Sequence, residues 1–350
     1  MKLSDKANRM KTWHDYTLDE RKQILDIVYD REAALQQGLN LSVIEKDWWV
    51  IMTLKALFAS SVSEYLSFKG GTSLSKGWGV IKRFSEDIDL AIHHSYYNIE
   101  STSKSQREKL RKKGRRFVVN ELALELEGIM HGWGLTDFHI LPITERQDEN
   151  GITPIDSDKD PVVLHVQYDS VVAESSEYML PYVKVEISSL SMKEPTEVRP
   201  LCSIINKHFP DDDTDAMVNA RTVVPTRTFL EKVFLLAEEF QKAKPRTRRM
   251  SRHYYDLWQL MRTPFADEAL NDNNLYQEII AHREAYYHVH YIDYSKLQPD
   301  VISFLPPEDL MQEYRNDYET MKSTYIYGDV PTFDELMKQM TALQERIKTM

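Results

Sequence analysis

Apolar positions recur at helical spacing over the first sixty residues and then change period. From residue 17 to 38 the spacing predicts a helix, with Thr17 as cap, Glu20 at capping-box distance and Gly38 as stop. A second helix is predicted over 43–60, starting near Ser42 with Glu45 three positions on. "YLSFKGG" then reads as a short strand running into a glycine turn, and "SLSKGWGVI" as a helix weakened by Gly77 and Gly79. "DIDLAI" alternates polar and apolar as a strand does. Residues 104–130 return to a helical pattern that ends near Gly132-Trp133-Gly134. "DFHILPI", "VVLHVQYD" and "YVKVEISS" predict three strands separated by polar turns. From Thr228 onward the pattern is helical, most clearly in "TFLEKVFLLAEEFQKA" and "HYYDLWQLM". The expectation is an N-terminal half of mixed helices and strands, residues 1–200, and a mainly helical C-terminal half, residues 225–350. The polar, proline-flanked stretch 195–225 is expected to connect them, with the acidic run Asp211 to Asp215 as a solvated loop.

Composition narrows the class. The chain has 350 residues, 42% hydrophobic and 28% charged, as a soluble globular protein does. The most apolar stretch, "WWVIMTL", stops at Lys55 and is far too short to span a bilayer, and the N-terminus carries charge where a signal peptide needs an apolar segment. A single cysteine, Cys202, excludes an internal disulfide and a thiolate metal cage. These features suit a cytoplasmic protein with no membrane partner. The net charge of −11 argues against a general nucleic-acid coat, yet eight of the thirteen residues in Lys104–Arg116 are basic, as are six of the eleven in Lys242–Arg252. Two such segments in an acidic chain form either a local anion-binding face or two solvated elements.

The chemistry concentrates in "FKGGTSLSKGWGVIKRFSEDIDLAI". Residues two apart on a strand share a face, so Asp87 and Asp89 point the same way while Ile88 and Leu90 turn toward a core. Paired carboxylates of this kind suit Mg²⁺ or Mn²⁺ rather than zinc. Upstream, Gly70 and Gly71 permit close backbone approach, Thr72 and Ser73 add hydroxyls, and a following helix presents its positive end. Strand, glycine–hydroxyl turn, helix and returning D-x-D strand together make a mononucleotide site; separately they are a capping turn and a surface strand. A third carboxylate for a two-metal transferase is offered by Glu186, which alternates with Val183, Val185 and Ile187. A Lys184–Glu186 solvent face on an edge strand is the other reading of that segment.

The same run, down to the R-F-S-x-D-I-D of Arg83–Asp89, resembles the first motif of the AbiEii/AbiGii-type nucleotidyltransferase toxins. These are a branch of the polymerase-β-like superfamily that includes the MenT toxins. "IEKDWWV", "VKVEI", "FLEKVFLLAEE" and "SRHYYDLWQL" follow in family order, so the resemblance covers roughly residues 44–260. It implies an α+β fold: a polymerase-β-like core with a mixed sheet, plus a C-terminal helical domain. It also implies that Gly70, Gly71, Thr72, Ser73 and Lys76 bind the nucleotide, and that Asp87, Asp89 and Glu186 hold Mg²⁺ or Mn²⁺. Lys232 would lie near the nucleotide phosphates, with Asp256 completing the catalytic set. The implied activity is transfer of a nucleotide from an NTP to an RNA hydroxyl such as a tRNA 3′ end. The implied setting is a toxin–antitoxin or phage-defence system, with an antitoxin or transcription repressor as partner. Lys112, Lys113, Arg115, Arg116, Arg248 and Arg249 would meet the RNA. Two other readings stay open: modification of a small-molecule or protein hydroxyl, and an NTP- or RNA-binding protein without turnover.

Overall fold

A computed structural model describes residues 12–35, 39–99, 103–148, 151–172, 180–190, 194–287, 289–324, 326–328 and 330–350; the expected stop at Gly38 lies outside them. The chain divides into two compact units, Met1–Gly77 with Ser85–Thr222, and Trp78–Phe84 with Val223–Met350.

In the first unit, α1 (Leu18–Ala34) starts at the expected capping box, Thr17 with Glu20. Helix α2 (Leu41–Ala59) starts earlier than expected, because Asn40 caps it through the Val43 N–H. Glu45 is otherwise engaged: its carboxylate accepts from the Ser170 hydroxyl and the Val171 N–H. Buried on nearly every side, α2 packs on α1 and on the central sheet. A short helical turn, α3 (Gly70–Thr72), continues as a wider turn through Gly77. The basic segment forms α4 (Lys104–Phe117), which buries Leu110, Gly114 and Phe117, and α5 (Ala123–Gly132) follows it.

The strands are β1 (Leu66–Lys69), β2 (Ile88–Ile92), β3 (Phe138–Pro142), β4 (Glu145–Asp148), β5 (Gly151–Pro154), β6 (Val162–Tyr168), β7 (Tyr182–Ser188), β8 (Thr196–Cys202) and β9 (Met217–Val223). Seven of them form one sheet in the order β3-β6-β7-β2-β1-β9-β8, while β4 and β5 pair as a separate hairpin. The sheet is mixed: β2 runs parallel to β7 and antiparallel to β1, and β6 is antiparallel to β7 and β3. The fold class is therefore α+β with a mixed sheet.

Two local expectations are corrected. The stretch read as a connection supplies β8 and β9, two strands of the main sheet. Their pattern is hidden by polar outward positions and by the α6 turn (Ile204–His208) between them. Nor is the acidic run a solvated loop throughout. Asp213 is 1% exposed and accepts from the Trp13 N–H, the Trp48 indole and the Ser203 hydroxyl, and Asp215 pairs with Lys55 at 2.7 Å. The other acidic side chains of the run leave Asp213 looking like one of many; only its partners single it out.

In the second unit α7 (Pro225–Glu239), α8 (Ser251–Leu260), α9 (Pro264–Asn271), α10 (Asn273–His282), α11 (Met311–Thr324) and α12 (Phe333–Lys348) pack around α8 and α7. Phe229, Val233, Tyr254, Leu257, Tyr314 and Leu336 lie in this core. No helix among the described residues is long and apolar enough to cross a membrane.

Candidate active site

On the sheet, apolar residues of β2, β6 and β7 bury one face, and polar ones occupy the other. Strand register makes Asp89 the partner of Glu186 on β7 and of Lys69 on β1. Glu186 is in turn the partner of Val163 on β6. The carboxylates expected on one face are thus neighbours on adjacent strands. Asp87 lies just ahead of β2, close enough to act electrostatically on Asp89. Burial pushes the Asp89 carboxyl up to about 7, and the negative charges of Glu186 and Asp87 push the same way.

Two lysines flank this negative cluster, and the first is Lys184 of the VKVEI segment. Its ammonium lies 2.5 Å from Glu186 Oε1. Burial works against its charge, but Glu186, Asp87 and Asp89 raise its pKa above the ordinary value. On the other side Lys69 opposes the upward shift of Asp89. Among the described residues no group of three His, Cys, Asp or Glu is gathered closely enough to hold a metal ion. Asp89 and Glu186, side by side in register, offer the carboxylate oxygens that a hard divalent cation takes as ligands.

The glycine turn is built around the same cluster. Gly70 has φ +80°, and a Cβ there would lie 1.9 Å from Asp89 Oδ2. The carboxylate therefore rests against bare α-carbon, a position that only glycine leaves open. The Thr72 hydroxyl is engaged inside the turn, with the Asp87 carbonyl 2.5 Å and the Ser85 hydroxyl 3.0 Å away. The Ser73 hydroxyl donates to the Gly70 carbonyl. Both side chains are buried, so they shape the turn, leaving Gly71 half-buried beside it. Lys76 ion-pairs with buried Asp47 and donates to the Cys202 carbonyl.

The E-K-D segment on α2 proves to be a set of anchors. Asp47 holds Lys76 and accepts from the Ile204 N–H, while Lys46 lies 2.6 Å from Glu86, the residue before Asp87. One helix thereby grips both the end of the glycine turn and the approach to the aspartates. Sequence reasoning missed these contacts because the partners lie about thirty to forty residues, or far more, from α2.

In the second unit Asp256, fully buried, receives both Arg83 Nε at 2.7 Å and Nη2 at 2.8 Å, and Lys232 at 2.7 Å. Burial alone would raise the Asp256 pKa, but the two cations outweigh it and hold the carboxyl below the usual range. Burial lowers the Lys232 pKa against the pull of Asp256.

The basic segments are partly neutralised. On α4, Lys112 pairs with Glu108 at 2.7 Å and Lys113 donates to the Tyr97 carbonyl, with Arg115 and Arg116 in the last turn. Arg248 and Arg249 are exposed, and the Arg249 N–H donates to Asp317 at 2.5 Å.

Residues 53–339 match the family described as nucleotidyl transferase AbiEii toxin, type IV TA system. No curated protein sequence shows significant similarity to the chain. Among solved structures, MenT4, a nucleotidyltransferase toxin from Mycobacterium tuberculosis, aligns over 93% of this chain and 98% of its own, at 15% identity and a TM-score of 0.42. That likeness is too loose to assign any residue.

Proposed function

We propose a specific reaction from the premise that the chain belongs to the AbiEii nucleotidyltransferase toxin family, and so is a nucleotidyltransferase toxin of a type IV toxin–antitoxin system. Membership brings an NTP substrate and a cognate antitoxin. The finer reading is Mg²⁺-dependent transfer of a nucleotide to an RNA hydroxyl, with a tRNA 3′ end as the acceptor. The observation that carries it is the pairing of Asp89 with Glu186 in register, with Gly70 opened to admit the Asp89 carboxylate.

Asp87, Asp89 and Glu186 would hold the divalent ion, which when bound neutralises charge developing on the transferred phosphoryl group. The backbone of the Gly70–Ser73 turn orients the triphosphate at the β1 side of the carboxylates. The acceptor oxygen forms a bond to the α-phosphorus as the bond to the bridging oxygen breaks. Pyrophosphate leaves, and the hydroxyl proton passes to a carboxylate of the cluster. Lys184 holds Glu186 in place through its 2.5 Å contact. Within the second unit, wholly buried Asp256 holds Lys232 and Arg83 as a positioning residue. Lys112, Lys113, Arg115 and Arg116 on α4, with Arg248 and Arg249, supply phosphate contacts to the RNA.

The test is incubation with total RNA and each labelled NTP in turn. Labelled RNA and pyrophosphate are expected with one nucleotide, and both should vanish in Asp87→Ala and Asp89→Ala. RNA left unlabelled by every nucleotide, or labelling that survives those substitutions, would overturn the reading.

A further inference from the structure

One feature of the open sheet face plays no part in holding the metal or the triphosphate. His165 on β6 and Tyr182 on β7 stack with ring centroids 4.1 Å apart and planes 14° from parallel. His165 is the register partner of Lys184, one row along from the Glu186–Val163 pair. Because alternate residues share a face, Glu186, Lys184 and Tyr182 of β7 present themselves on the same side as His165. Lys46 lies 5.4 Å over the Tyr182 ring and fixes it from α2. Both rings are half-buried, and Gln167 and His139 beyond them are exposed, so this end of the face is open to solvent. A rigid, flat aromatic pair at the edge of a polar sheet face matches the way proteins hold an unpaired base.

We propose that the His165–Tyr182 pair is the stacking platform for the 3′-terminal base of a single-stranded RNA acceptor. This rests on the nucleotidyl-transfer reading above and names the acceptor side of that site. The order of the strands decides which base is held. Going across the sheet, the Gly70 turn closes β1, Asp89 is on β2, Glu186 on β7 and His165 on β6. In-line displacement places the attacking oxygen and the leaving pyrophosphate on opposite sides of the phosphorus. With the triphosphate at the β1 turn, the group beyond Glu186 on the β6 side is the acceptor. Lys184 lies between the platform and Glu186 and supplies positive charge beside the acceptor's backbone.

The experiment uses the full chain and a short single-stranded RNA carrying 2-aminopurine as its 3′-terminal base. Binding should quench the fluorescence. His165→Ala and Tyr182→Ala should abolish the quench and raise the acceptor KM by roughly 5- to 100-fold, with the NTP KM unchanged. His165→Phe and Tyr182→Phe, which keep a stacking ring, should retain both. If the alanine variants stay within twofold for quench and acceptor KM, the proposal falls while RNA transfer stands. A rise in the NTP KM instead would assign the platform to the nucleotide and equally overturn it. Should the wild type label no RNA, the titration still decides. A quench lost in His165→Ala keeps the platform and defeats only the transfer reading; no quench in the wild type defeats both.

Discussion

Gly70 shows how much one residue can constrain. Its requirement comes from Asp89, whose carboxylate occupies the space a methyl group would take. Gly70→Ala is expected to displace that carboxylate and cut nucleotide transfer about 100-fold, since misplacement near 1 Å has that effect. Far-UV circular dichroism should stay unchanged; near-normal turnover would mean that Asp89 is not needed where it lies. The glycine pair was legible in the sequence as a turn, but its contact with a residue nineteen positions on was not. Asp213 makes a different point. Burial pushes its pKa from 3.8 up to about 6, against the hydrogen bonds from Trp13, Trp48 and Ser203. The folded chain therefore holds a proton there that the unfolded chain has released, so its contribution to stability is full below the unfolded pKa and is lost as pH rises to about 6. Asp213→Asn lacks this titration. Relative to wild type it should gain about 2 kcal/mol between pH 4 and pH 6.5 in urea unfolding. A difference that stays flat across that range would exclude a raised pKa at this site.

At the scale of elements, α2 was predictable as a helix and not as a clamp. Its apolar periodicity is clear, yet Glu45, Lys46 and Asp47 are buried against Val171, Glu86 and Lys76. Charged residues inside an apolar run are the one local sign that such partners exist. Asp47→Ala leaves the Lys76 ammonium buried without its carboxylate and should cost about 3–5 kcal/mol in chemical denaturation. The Asp47→Leu, Lys76→Met double variant should recover much of that loss, because two apolar side chains replace two charges. A double variant whose loss equals the sum of the losses of Asp47→Leu and Lys76→Met alone would show that the pair is not coupled. Strands β8 and β9 illustrate the opposite failure. Their alternation is weak because β8 faces solvent along most of its length, which hides the period that identifies a strand.

For the whole molecule, the functional reading predicts that a divalent ion stabilises the folded state. With Mg²⁺ at about 100 times its Kd, the gain is about 2.7 kcal/mol, visible as a rise in Tm. Asp89→Ala and Glu186→Ala should abolish the rise, and an identical rise in both variants would place the ion elsewhere. The chain also divides its first motif between its two units: residues 78–84, with Arg83 on Asp256, belong to the second, while the turn and the aspartates belong to the first. Local sequence carries no sign of that division, since "RFSEDID" reads as one uninterrupted run.

The sequence by itself determined the longer helices, the strands that alternate, the family and the candidate residues of the site, because periodicity and motif spacing are local properties; the helix expected over SLSKGWGVI instead ends at Gly77. Tertiary structure alone decided that Asp89 meets Glu186, that Gly70 must lack a side chain, and that Lys76 serves Asp47. It also decided that His165 and Tyr182 stack beside the carboxylates. Those outcomes depend on strand order, register and burial, which join residues up to about a hundred positions apart and leave no trace in any one window of the chain.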